Sequence, residues 1–469
     1  MRKMINKKEL FIEKMKQEGL APLVIDTFIS YYSDLSKGCS GIIPEQQISP
    51  LERDELDELR SLNRYESVGE KVLNKAVILK LNGGLGTTMG LNRAKSLIGV
   101  KNGSTFLDIT ALQIRALNKK HSLSVPLLLM NSFKTDADSL KALESYSDIS
   151  TSFPLSFLQN KFPKVLQSTL KPACYSENPA LEWNPPGHGD IFTSLATSGI
   201  LDKLIESGYH YAFISNIDNL GASLDTNILG YFHENKFPFL MEVTERTFMD
   251  RKGGHLAKTK DGQLILRESA QCPKEDTLKF SDTNLHKFFN TNNLWLNLPA
   301  LKQQLKKDKQ IKLPMIANSK HLNPRDKTTP LVYQLESAMG SAISIFENSA
   351  ALRVPRSRFA PVKSCEDLLL LWSDYYDVTE ESKIVVNPAR GPGNPSITLD
   401  PLYYAQVDQL QQRFPYGAPS LIDCNSFKIN GDVVFGNNVK IVGDITITNS
   451  TSETLIIQDN TTLDSNIIK

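Results

Sequence analysis

The sequence predicts an α/β protein on a mixed, largely parallel sheet, with a helical segment before it and a β-helix after it. Three observations carry this expectation. From about residue 75, short apolar runs alternate with amphipathic stretches: AVILKL, FLDITALQIRAL, VPLLLMNS, HYAFISNID, FPFLMEV. That is the pattern of strands and helices in turn. Ahead of them, Val24, Phe28, Tyr31 and Leu35 fall at helical spacing between Gly19 and Gly38, two plausible stops. Near the end, Ile429, Phe435, Ile441 and Ile447 recur every six residues, interleaved with Phe427, Val433, Val439 and Ile445. A six-residue apolar period broken by turns marks a β-helix, in which each short strand forms one flat side of a coil. A pair of hairpins, alternating with period two, is the competing reading.

Taken in order, the chain divides into a helical segment over 1–70, a catalytic domain over 71–385 and a β-helix domain over 386–469. Within the first, SPLERDELDELRSL reads as a helix capped by Ser49, with Pro50 at its first position and acids in its first turns. In the second, DLLLLWSDYY reads as a further helix, and the lysines from Lys302 to Lys312 as a solvated helix face. In open α/β sheets, ligands bind beyond the carboxyl ends of the strands. The glycine turn after AVILKL and the polar SNIDN after YAFI both belong at that edge.

Composition excludes several classes. The 469 residues carry a net charge of +1, so broad attraction to nucleic acid or membrane is not indicated. Any phosphate chemistry must come from locally placed cations. Five scattered cysteines without a CxxC pair argue against a zinc site or a disulfide framework and for a reducing compartment. The basic N-terminal stretch MRKMINKKELFIEKMKQEG lacks the apolar core of a signal peptide. No apolar run approaches the roughly 20 residues that span a bilayer. A cytoplasmic protein is expected.

The stretch KLNGGLGTTMGLNRAKS, Lys80 to Ser96, holds four glycines within eight positions and then Lys95. It is not a P-loop, because Gly90 is followed by Leu91 and the lysine comes late. It is not a dinucleotide fingerprint either, because Met89 stands where the third glycine belongs. Glycine nevertheless lets backbone N–H groups approach an anion closely, and Lys95 adds a mobile charge at the far end of the loop. A structural turn beside an incidental lysine is the plainer alternative.

LNGGLGTTMG followed by AKS resembles the signature of the eukaryotic-type UDP-glucose pyrophosphorylases. Further motifs of that family recur in order: PPGHGD at Pro185–Asp190, SNIDNLGA at Ser215–Ala222, KGG at Lys252–Gly254, FNTNNLW at Phe289–Trp295, and RSRFAPVK at Arg356–Lys363. The tail INGDVVFGNNVKI resembles the family's C-terminal β-helix. The resemblance runs from about residue 70 to the end. It implies a Rossmann-like nucleotidyltransferase domain, a helical N-terminal segment and a small left-handed β-helix. Ala94 stands where a proline is common, Ala360 replaces a larger apolar residue, and LQN around Gln159 replaces NQS. The closing DSNIIK lacks the last strand of longer relatives, so a monomer or small homo-oligomer is expected.

The reaction implied is Mg²⁺-dependent uridylyl transfer from UTP to glucose 1-phosphate, giving UDP-glucose and pyrophosphate. By resemblance, Lys95 and Lys363 are the catalytic cations on the phosphates, and Asp218 is the metal ligand and a nucleotide contact. Read alone, Asp218 could equally be a turn or N-cap aspartate. Leu81, Asn82, Gly83, Gly84, Gln159 and Gly187 match the positions that read uracil, His188 and Asn216 those that contact the sugar phosphate, and Asn292 a further ligand contact. A uridylyltransferase for another sugar 1-phosphate would tend to carry GTRLG where this chain has GTTMG. An acyltransferase in the tail is disfavoured by the absence of histidine after His321. A non-catalytic nucleotide-sugar binder is disfavoured by the joint presence of Lys95, Asp218 and Lys363.

Overall fold

AVILKLN forms strand Ala76–Asn82, buried at every position. Val77, Leu79 and Leu81 join the hydrophobic cluster on one face of the sheet, while Ile78 joins the cluster on the other. A strand covered on both faces needs apolar residues throughout, which is why this run does not alternate. The computed structural model describes residues 6–39, 41–149, 153–247, 250–391 and 393–469; the first five residues of the basic N-terminal stretch lie outside them.

Across the sheet the strands run Ile48–Ser49, His255–Thr259, Phe288–Asn297, Tyr211–Asn216, Ala76–Asn82, Leu127–Asn131 and Ser156–Leu158. The centre is parallel: Ala76–Asn82 lies between Tyr211–Asn216 and Leu127–Asn131, and Ser156–Leu158 continues in the same sense. The long strand Phe288–Asn297 is antiparallel to Tyr211–Asn216 and to Phe239–Glu245, which makes the whole sheet mixed. Leu81 pairs with Asn216, so the glycine turn and the SNIDN turn leave the sheet side by side at one edge.

Helices Lys7–Gln17 and Pro22–Ser36 join through Phe11, Phe28, Tyr31 and Tyr32, and this aromatic knot packs on Phe162, Val165, Met315 and Leu335. The helix expected from Ser49 onward does not form. Ser49 pairs with Lys258 at the sheet margin, Leu51 and Leu56 enter the sheet's core, and Glu52 caps only a single 3-10 turn, Arg53–Glu55. Tertiary pairing of this stretch outweighs a good capping signal whose intrinsic worth is about 1 kcal/mol.

In the C-terminal region successive strands stack in parallel. Cys424–Asn430 lies between Ser396–Thr398 and Gly443–Thr448, Val433–Phe435 lies on Leu455–Ile457, and Lys440–Ile441 on Thr462–Leu463. All eight residues of the six-residue period are buried. Parallel pairing excludes the two-hairpin alternative, since hairpin partners are antiparallel. The same apolar cluster takes in Leu368, Leu369 and Leu371 of helix Cys365–Trp372, and reaches Met89 and Ile98 beside the glycine turn. Among the described residues no helix is long and apolar enough to cross a membrane.

Candidate active site

The glycine turn is pinned at both ends. The Lys95 amide donates to the Gly84 carbonyl at 3.1 Å, and Leu85 bridges Ala94. This closes the loop so that Lys95 returns to the edge where the loop began. Its Nζ donates to Asp218 Oδ2 at 2.6 Å and also to the Val362 carbonyl. Lys363, from the far side of the sequence, places its Nζ 2.9 Å from the same oxygen. The backbone arranges this convergence: the Val362 amide donates to the Asp218 carbonyl at 3.2 Å and Asn219 bridges Pro361.

Asp218 is 6% exposed. Burial alone would raise its carboxyl, but Lys363 and Lys95 outweigh that and hold it below the usual carboxylate range. It is therefore ionised at neutral pH, while its Oδ1 is buried and has no protein partner. A buried carboxylate oxygen left bare costs free energy unless a cation or donor arrives. That is a fit to a divalent cation. No cluster of three or more His, Cys, Asp or Glu side chains suited to a metal occurs among the described residues. The arrangement therefore suits an ion held by one carboxylate and by the oxygens of a bound ligand, as Mg²⁺ commonly is.

At the start of the glycine turn, Gln159 lies against Gly83: a Cβ there would meet Gln159 Oε1 at 2.7 Å. Asp190 sets this position by accepting from the Asn160 amide at 2.6 Å and from Asn160 Nδ2 at 2.9 Å. Gly187 has φ of +79°, and a Cβ on it would meet the Ser337 carbonyl at 2.5 Å. That turn delivers His188, whose Nδ1 accepts from the Met339 amide at 3.0 Å. The neutral ring consequently carries its proton on Nε2. Burial, and then the nearby Lys363 charge, lower its pKa to about 4.

Asn216 ends its strand at the same edge. Asn292 adopts φ of +58° where the register of Phe288–Asn297 against Phe239–Glu245 shifts, and its Oδ1 accepts from Asn290 Nδ2 at 3.0 Å. Leu81 and Asn82 are placed differently from the rest. Leu81 sits in the core, and its carbonyl accepts from the Ile217 amide. Asn82 turns into a buried network with Asn131 and Ser139. Only their main chains face the turn's base.

Sequence reasoning missed a second buried cluster directly behind the edge. Glu242, fully buried, accepts from Arg358 Nε and from an Arg358 terminal nitrogen at 2.7 Å each, from Trp295 Nε1 at 3.0 Å and from Asn293 Nδ2 at 3.1 Å. Asn219 ties into it through Asn293 and the Arg358 carbonyl. Residues from three motifs, Asn219 from one, Asn293 and Trp295 from another and Arg358 from a third, thus meet in a single network. The available signal was Glu242 itself, a carboxylate inside the apolar run FPFLMEV. Glu268 was also missed. Its carboxylate presses on Gly254, where a Cβ would meet it at 2.6 Å, and burial raises it to about 7.

A glycine turn, two ammonium groups from distant segments and a carboxylate with one bare oxygen, all at the carboxyl edge of a parallel sheet, define a nucleotidyltransferase. The profile of the UTP–glucose-1-phosphate uridylyltransferase family matches residues 25–442. A Solanum tuberosum enzyme of that name is 44% identical over 86% of this chain and 83% of its own, and one from Encephalitozoon cuniculi is 38% identical over 99% and 92%. A substituted UDP-glucose pyrophosphorylase from Leishmania major, solved with UDP-glucose, superposes with a TM-score of 0.91 at 43% identity and covers 99% of each chain. The chain belongs to the UTP–glucose-1-phosphate uridylyltransferase family.

Proposed function

We propose that this chain transfers the uridylyl group of UTP to glucose 1-phosphate. A phosphate oxygen of glucose 1-phosphate attacks the α-phosphorus, the bond from that phosphorus to the bridging oxygen breaks, and pyrophosphate leaves with the electron pair. UDP-glucose is the other product. One anhydride replaces another, so the reaction is reversible. The observation that carries this reading is the convergence of Lys95 and Lys363 on one oxygen of Asp218, with the other oxygen bare.

The protein's share is alignment and charge. Two anions must meet, and Lys95 and Lys363 lower their repulsion and the charge that builds in the transition state. Lys363, 58% exposed, can move from Asp218 to a phosphate when the ligand arrives. Asp218 is the residue that would hold Mg²⁺, which when bound would neutralise phosphate charge. The main chain of Leu81–Gly84 with Gln159 and Gly187 suits the mixed donor and acceptor edge of uracil. The Nε2–H of His188 and the Asn216 side chain suit the sugar phosphate. Asn292 suits a further ligand contact, and the Glu268 carboxyl against Gly254 suits sugar hydroxyls.

The three-part division, with boundaries near 70 and 385, is kept as a proposal from the sequence pattern, although both flanking parts share apolar clusters with the catalytic region. The parallel C-terminal strands, with their six-residue period, support a small left-handed β-helix. The exposed free thiols Cys39 and Cys174 fit the cytoplasm, and a monomer or small homo-oligomer is proposed.

Pyrophosphate release from UTP and Mg²⁺ with a panel of sugar 1-phosphates tests the reading. Glucose 1-phosphate should give the highest kcat/KM. Preference for an N-acetylhexosamine 1-phosphate, or no turnover with any sugar, would overturn it.

A further inference from the structure

One buried cation beside this site has no carboxylate of its own. Lys80 lies in the strand that leads into the glycine turn and is 3% exposed. Its neighbours Leu79 and Leu81 face one side of the sheet; Lys80 faces the other, with Ile78 and Phe213. There its Nζ donates to Ser215 Oγ at 2.7 Å and to the Ala222 carbonyl at 2.8 Å. These two acceptors are the first and last residues of SNIDNLGA. Between them lie Asn216, Asp218 and Asn219.

We infer that Lys80 is a positioning residue for uridylyl transfer, its ammonium bridging the two ends of the Ser215–Ala222 turn so that Asp218 and Asn216 are held at fixed height against the glycine turn. This rests on the function proposed above. Two features support it. A lysine amid apolar strand residues is expensive to bury, so a merely structural position would be better filled by leucine or methionine. That cost shows in the group itself: burial, and then the Arg358 charge, lower it to about 7, against the pull of Asp218 and Glu242. The bridge also spans a turn that the backbone alone does not close: the Asn219 amide bonds Asn216 and the Ala222 amide bonds Asn219, yet nothing else joins residue 215 to residue 222 among the described hydrogen bonds. Lys80 further lines a cavity of about 200 Å³ on this face, with Thr110, Gln113, Phe213 and Asn227. A small molecule entering there would reach the ammonium without touching the nucleotide side.

Lys80→Met keeps the aliphatic stem and removes the bridge. Two buried hydrogen bonds are at stake, so kcat should fall roughly ten- to a hundredfold. KM for UTP should stay within about threefold, because the residues that touch the nucleotide remain. Hydrogen exchange in the ligand-free chain should quicken at the amides of residues 216–222 and stay unchanged in helices Lys7–Gln17 and Pro22–Ser36, whose apolar cluster holds no residue of that turn. Ser215→Ala, a milder change, should move kcat and exchange in the same direction by less, which keeps the test available should Lys80→Met misfold. In Lys80→Ala, methylammonium or ethylammonium diffusing into the enlarged cavity should restore part of kcat, and a neutral alcohol of equal size should not. A folded Lys80→Met with kcat within twofold of the parent, or with KM rising as much as kcat falls, overturns the inference. Failure of the parent itself to turn over glucose 1-phosphate would instead strike the proposed function, while leaving the exchange measurement to judge the bridge.

Discussion

Two buried carboxylates close to the same sheet edge are treated in opposite ways. Glu242 has both oxygens filled, by Arg358, Trp295 and Asn293. Asp218 has two lysines crowded on one oxygen and nothing on the other. The difference separates scaffold from chemistry. A satisfied ionic network locks segments together and has no capacity left for a ligand. An under-satisfied one keeps free energy in reserve that binding can release.

The comparison breaks most visibly at Glu242. Glu242→Ala leaves buried Arg358 with only the looser Asp225 contact at 3.9 Å, and should cost about 3–5 kcal/mol of stability. Urea unfolding of the variant beside the parent measures it. A loss below about 1 kcal/mol would mean that the network is not what joins these motifs. Asp218→Asn should shift the same unfolding curve by less, because Lys363 is exposed and the amide oxygen can still accept from Lys95.

On the other cluster the effect should fall on the rate. Lys363→Ala removes one contact to the transferring phosphate, a loss of about 3 kcal/mol at the transition state, or roughly a hundredfold in kcat. UTP affinity should change far less. Steady-state kinetics decides, and near-normal turnover would end the assignment.

Asp218→Asn keeps shape and removes charge. The Mg²⁺ concentration for half-maximal activity should rise several-fold, and Mn²⁺ bound in the presence of UTP, read by its paramagnetic signal, should weaken with it. Coincident titrations for variant and parent would remove Asp218 from the metal.

A smaller effect concerns pH. His255 and His286 stack at 3.7 Å inside the protein. Burial lowers both, with Arg246 and Arg267 adding to it and Glu45 opposing it at His286. Groups with depressed folded-state pKa values give stability that is present above the unfolded value near 6.5 and lost as pH falls below it. The melting temperature should therefore drop between pH 6.5 and 5, and His255→Phe should flatten that drop.

The smallest effect is an absence. His188, lowered to about 4, stays neutral across this range, so the pH profile of kcat/KM should show no inflection near 6.5 that His188→Asn removes. If such an inflection vanished in the variant, the neutral Nε2–H donor would be the wrong state.

Local patterns in the sequence determined a good deal. The helical stripe from Val24 to Leu35 lies in helix Pro22–Ser36, and the buried run before the glycine turn is a two-faced strand. The six-residue period became parallel stacked strands. Period and burial are written in neighbouring residues, so a sequence shows them directly. The motif residues Lys95, Asp218 and Lys363 were each legible, but not their meeting on one oxygen. The tertiary structure alone decided the partners of Glu242, the bridge made by Lys80 and the fate of Ser49. Lys80 and Glu242 are visible in the sequence only as charges inside apolar runs, and neither was singled out there. Which distant backbone carbonyl or guanidinium satisfies such a charge depends on how strands far apart in sequence are brought side by side. No local pattern encodes that, because the free energy of a buried charge is set by its partners in space.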